Sequence, residues 1–183
     1  MTSPRELVLL DPLADAKAVD RLIHDAAAQR VEAVVVAPVH ARFVAPRMAA
    51  VKIRTFVAVG YPLGLNKPTL KAIEATSAVK DGADGIDLVP HLPPLLAGDV
   101  EAVKQEVMEV VRGARAARPT TLVRLWFDRP INDTPLFDAL VRCARESGCD
   151  GIVTQTLEPS HQERFDRLAQ GTISIRVRPT DCE

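Results

Sequence analysis

At 183 residues with a formal net charge of −1, the chain is long enough for one substantial core, and its charges almost cancel. That balance excludes a general nucleic-acid binder, which needs a basic surplus to neutralise phosphates. No apolar run approaches the roughly 18 residues of a membrane span, and the first residues lack the apolar centre of a secretory signal. Three cysteines (Cys143, Cys149 and Cys182) have no CxxC spacing, and the odd count predicts a reduced, cytoplasmic setting.

The elements follow in chain order. ELVLL at 6–10 is a first strand, and DAKAVDRLIHDAAAQ after it puts Val19, Leu22, Ile23 and Ala26 on one helical face. AVVVA at 33–37 is wholly apolar, as a parallel strand covered on both faces should be. Further strands fall at 53–59 (IRTFVAV) and 85–89 (GIDLV), with Gly82 where the helix between them should stop. DVEAVKQEVMEVVRGA carries the stripe Val100, Val103, Val107, Val110 and Val111. TLVRLWF at 121–127 is the fifth strand, and Thr134-Pro135 resembles an N-cap with proline at the first helical position. Gly148 ends that helix, DGIVT at 150–154 follows, and Ser160 and Glu163 have capping-box spacing before Gly171. TISIRV at 172–177 completes the series.

Seven strands alternating with six helices predict βαβ units and a parallel sheet, in a single domain over 1–183 without a linker. The pattern leaves two architectures, a doubly wound sheet and a (β/α) barrel. The absence of GxGxxG and GxxxxGK[ST] loops removes the usual nucleotide-binding reasons for the first.

Several stretches taken in order resemble the deoxyribose-phosphate aldolase family of class I aldolases. They are LLDP with the helix after it, VVVAPVHARFV, VGYPLGLNKPTLKAIEA, DGADGIDLV with LLAGDVEAV, and ESGCDGIVTQT. The resemblance runs over about 7–177 and implies a TIM-type barrel truncated to about seven strands, with its site at the C-terminal strand ends. It further implies a lysine on strand six that forms a Schiff base, a helper lysine on strand seven and a proton-relaying aspartate on strand four. The aspartate is present as Asp87. The Schiff-base position aligns with Val153, or Thr154 one residue on, and the helper with Arg176. No lysine follows Lys104, so strands five to seven supply no amine nucleophile. RPTDCE stands where the family has its phosphate-binding turn, and the chain ends about where an eighth strand would begin. Open strand edges would then predict a homo-oligomer that covers them.

The expected site is built on Asp87, a carboxylate between Ile86 and Leu88 that needs a reason to lie in a strand. Arg124 and Arg176 would give electrostatic help, since a guanidinium can clamp a carboxylate or enolate but cannot form an imine. His91 is a candidate base. Asp128, Thr154 and Gln155 offer polar contacts, while Tyr61 and Trp126 are candidates for an apolar wall. Neither HxH nor HExxH spacing is present, so no metal or other cofactor is expected. Two functions fit these residues. One is acid/base chemistry without a Schiff base on a small, non-phosphorylated carbonyl metabolite. The other is a non-catalytic aldolase-like protein that binds a ligand or serves as a scaffold.

Overall fold

Residues 6–127, 134–155 and 157–178 are described by the computed structural model. Asp15 starts the first helix, α1 (Ala16–Gln29), by accepting a hydrogen bond from the Ala18 N–H at 2.9 Å. Val19, Leu22 and Ala26 are its buried stripe, at the spacing the sequence predicts. The strands are β1 (Glu6–Leu9), β2 (Ala33–Val36), β3 (Arg54–Val59), β4 (Gly85–Leu88), β5 (Leu122–Phe127), β6 (Gly151–Thr154) and β7 (Ser174–Val177). All are parallel, and each pairs with its neighbour in sequence, giving the order β1 to β7. Helices α2 (Ala41–Ala50), α3 (Pro68–Lys80), α4 (Leu92–Leu96), α5 (Val100–Ala117), α6 (Thr134–Glu146) and α7 (Pro159–Ala169) fill the crossovers, α2 after a short 3-10 turn at Pro38–His40.

Seven α-helices therefore stand among the described residues where the alternation predicts six. The crossover from β4 to β5 is split in two. Gly98, at φ +83°, ends one helix, and the Asp99 side chain caps the next through the Ala102 N–H at 3.1 Å. The capping box expected at Ser160 is also displaced. Glu158 is the N-cap and Pro159 the first residue of α7, because proline's fixed φ starts the helix before Ser160 can cap it.

Side-chain contacts require the sheet to curl. Glu6 and Arg124 sit four strands apart, about 19 Å on a flat sheet at ~4.8 Å per strand. Their side chains nevertheless meet at 2.8 Å. The result is a TIM-type barrel wall of seven strands. Among the described residues no backbone ladder joins β7 to β1. Arg176 and Arg178 span that seam instead, reaching Glu6 at 3.1 and 2.7 Å.

Strand alternation gives the wall two buried faces. Val34, Val57, Ile86, Leu125 and Ile152 pack outward against the helices. Ala33, Val35, Phe56, Ala58, Trp126 and Val153 form the inner cluster. Outside the wall, the fully buried Lys71 braces α3. Its ammonium donates to Gly64 O (2.5 Å), Val89 O (3.0 Å) and Glu106 Oε1 (2.6 Å), which uses all three protons.

Gly85 leaves room for Phe56 on the inner face, since a Cβ there would lie 2.3 Å from the ring. The Arg124 guanidinium covers the same ring at 3.6 Å from its centroid. Gly85→Ala should therefore cost about 1–3 kcal/mol through overpacking. A lower urea midpoint at unchanged m-value is the expected readout, and an unchanged midpoint would show that the ring yields freely.

Candidate functional site

Asp87 and Arg124 are register partners on β4 and β5, both facing the barrel interior. The pair is bidentate, with Arg124 Nε on Oδ1 at 2.7 Å and Nη2 on Oδ2 at 2.9 Å. Arg124 Nη1 continues to Glu6 Oε1 at 2.8 Å. A second guanidinium arrives from just past β7, where Arg178 Nη2 donates to Asp87 Oδ2 at 2.8 Å and to Glu6 Oε2 at 2.7 Å. Asp87 is completely buried, and Arg124 and Arg178 are 6% and 7% exposed.

The aromatic residues frame this cluster. Arg178 lies over the Trp126 ring at 4.8 Å, and Tyr61 stacks on Trp126 at 4.9 Å with 13° between the planes. One donor is left over. Arg178 Nη1 is buried and has no hydrogen-bond partner, a state that costs about 1–3 kcal/mol unless something fills it.

The structure thus brings together Asp87, Arg124, Trp126 and Tyr61 from the expected set, with Glu6, Phe56 and Arg178 added. Arg178 was legible only as the second of two arginines two apart on one strand face. Arg176 stands at the seam, on Glu6 at 3.1 Å and on Glu32 at 3.4 Å. Val153 faces inward, beside Trp126 and Arg176 in the ladder. Thr154 is fully buried one residue on, so alternation turns it to the helix side, while its carbonyl accepts the Arg178 N–H at 2.7 Å. Gln155 follows at the strand end, half-buried. His91 is drawn to a different place. It lines a cleft outside the wall, and its backbone N–H donates to Glu106 Oε1 at 3.2 Å. Asp128 lies outside the described residues.

Burial opposes ionisation of Asp87, but the charges and hydrogen bonds of Arg124 and Arg178 outweigh it and hold the carboxyl below its ordinary range. Those carboxylates in turn raise both arginines against the effect of burial. The thiols are poor nucleophiles, because burial pushes Cys143 up to about 11 and Cys149 further still. Among the described residues no group of three or more His, Cys, Asp or Glu could hold a metal ion. The arginine cluster fixes charge and offers a donor, and both Asp87 oxygens are engaged by guanidinium N–H groups.

Replacing Asp87 by Asn leaves two guanidinium groups facing a neutral amide and should cost about 3–5 kcal/mol. Because folding lowers the Asp87 pKa, its contribution is complete above the unfolded carboxylate value of about 3.9 and fades as pH falls through the folded value. The acid limb of a stability–pH profile should therefore flatten in Asp87→Asn. Parallel limbs in variant and parent would remove Asp87 from the acid response.

Comparison with known proteins agrees with the fold. A deoxyribose-phosphate aldolase of Staphylococcus aureus (strain Mu50) is 33% identical over 107 residues, 58% of this chain and 49% of the relative. The chain thus spans about half the length of the curated relatives it matches. No family model matches it. Among solved structures, a tetrameric deoxyribose phosphate aldolase from Aeropyrum pernix superposes with TM-score 0.81 at 24% identity, over 97% of this chain and 77% of that one. The aldolase QR15 gives TM-score 0.81 at 24% identity, over 94% and 78%. In strand order and over the aligned 107 residues, the chain is similar to deoxyribose-phosphate aldolases, from which it diverges elsewhere.

Proposed function

We propose that this chain is a non-catalytic aldolase-fold protein that binds a small carbonyl-bearing metabolite without forming a covalent bond to it. The carrying observation is Asp87, completely buried with both oxygens occupied by three arginine N–H groups. A general base needs a free lone pair within reach of the substrate and a pKa near the working pH. Asp87, completely buried, engaged by two guanidinium groups and held below the ordinary carboxylate range, is far from that state, which weighs against the acid/base reading in which it moves protons with Arg124 or Arg176.

The same residues support binding. Arg178 Nη1 is a buried donor in want of an acceptor, and a carbonyl or carboxylate oxygen is the acceptor that fits a guanidinium. Tyr61, partly exposed above Trp126, supplies an apolar wall beside it. Covalent capture lacks an amine. Val153 occupies the Schiff-base position, and Lys71, fully buried outside the wall, has spent its three protons on Gly64, Val89 and Glu106.

Assembly into homo-oligomers and residence in the cytoplasm belong to this reading. Leu63, Leu70 and Ile73 are 64%, 55% and 60% exposed, and the last two share a face of α3. The solved relative from Aeropyrum pernix is described as a tetramer. No helix among the described residues is long and apolar enough to cross a membrane.

Borohydride treatment in the presence of acetaldehyde or pyruvaldehyde should leave the intact mass unchanged. A stable adduct on any of the six lysines would overturn the non-covalent reading. Light scattering at micromolar concentration should give a multiple of the chain mass, and a monomer there would remove the assembly. Leu70→Glu should shift that equilibrium toward the monomer.

A further inference from the structure

A cleft of about 280 Å³ lies outside the barrel wall, between the segment leading into α3, the turn after β4 and the first turns of α5. At ~30 Å³ per water this is room for about nine waters, or a small metabolite. Its floor is Glu106, only 5% exposed. The two oxygens of that carboxylate are unequally served. Oε1 accepts from Lys71 at 2.6 Å and from the His91 N–H at 3.2 Å. Among the described residues Oε2 receives just the far side of that same N–H, at 3.4 Å. A carboxylate oxygen accommodates two donors, so Glu106, which lines the cleft, keeps acceptor capacity at Oε2 among the described residues.

The rim has the opposite character. Lys67 is exposed, and it is the N-cap of α3 without giving that helix a side-chain cap. Its ammonium and the positive end of the helix therefore act together at one edge of the cleft. The His91 imidazole stands on the same rim, and Leu65 and Val103 supply apolar wall. Charge counting narrows the ligand. Glu106 and Lys71 cancel within their buried pair, which leaves one net positive charge at Lys67. A monoanion balances that, whereas a phosphate dianion does not.

We propose that this cleft binds a small hydroxycarboxylate. A hydroxyl donates to Glu106 Oε2, while the carboxylate is held by the Lys67 ammonium and the His91 imidazole. The site is independent of the barrel interior and of the non-catalytic reading, since none of its residues belongs to the arginine cluster. It gives His91 a role away from Asp87.

Glycerate titrated into the uniformly 15N-labelled chain tests the assignment by amide shifts. Saturable shifts should appear over 64–67, 91 and 102–106, with glycerol and acetate, each lacking one half of the recognition, binding more weakly. Lys67→Ala should weaken glycerate roughly tenfold, the loss of one charge-assisted contact. Ala102 is an exposed α5 position lining the cleft, so Ala102→Phe should fill the space and abolish the shifts without disturbing the core. Absent shifts, equal binding of acetate or glycerol, shifts that survive Ala102→Phe, or shifts centred on Tyr61 and Trp126 would each overturn the proposal. None of those outcomes bears on covalent trapping, so the two readings fail separately.

Discussion

A buried cluster of carboxylates and guanidinium groups inside the barrel wall governs this structure. Asp87 and Glu6 oppose Arg124 and Arg178, Arg176 joins them through Glu6 at 3.1 Å, and the shortest guanidinium–carboxylate contacts are 2.7–2.9 Å. Buried ion pairs recover their desolvation cost only with such geometry. The cluster also does what the backbone does not. Through Glu6 it ties β1 to β5 and to the end of β7 across the seam where no ladder forms among the described residues. Curvature of the sheet and placement of the site are therefore one problem with one solution.

The space for this cluster is made by what the inner face omits. Ala33, Ala58, Gly85 and Gly151 keep the wall thin where the arginines and their aromatic covers lie. At Gly151 a Cβ would stand 2.6 Å from Ser174 Oγ. Phe56 and Trp126 then give the guanidinium groups polarizable faces in place of water. Lys71 and Glu106 repeat the device on the outer side, where a fully used ammonium binds the β3–α3 segment, the end of β4 and α5. The two sites differ in one respect. The inner carboxylates are each held by two or more guanidinium groups, whereas Glu106 pairs with the Lys71 ammonium and the His91 N–H.

Strand positions were readable because β-branched runs between glycines and helical stripes leave little choice. Asp87 and Arg124 could each be singled out because each breaks an apolar run, but their pairing shows only in the ladder. Finer features were hidden by the physics of parallel strands. GIVT is buried on both faces, so no alternation tells whether Val153 or Thr154 faces inward. Only the ladder with Trp126 and Arg176 settles it. His91 misled for a related reason. A residue just past a strand end can turn into the barrel or out of it, and here its N–H follows the buried Glu106 outward. The extra helix α4 was lost in a proline pair that reads equally well as loop.

Inertness, on the proposed reading, does not rest on one missing lysine. An amine placed at Val153 would face Arg176 across the ladder, a permanent cation that would lower its pKa, which by itself favours nucleophilicity. Imine chemistry must also move protons, and the inward-facing carboxylates Asp87 and Glu6 are both committed to arginines. Freeing Asp87 means displacing Arg178, and that would strip Glu6 of a partner and loosen the seam between β7 and β1. The residues that would have to become available for a reaction are the ones that hold the barrel in shape. A permanently charged guanidinium serves that structural purpose better than a lysine, because it cannot relieve its burial by losing a proton.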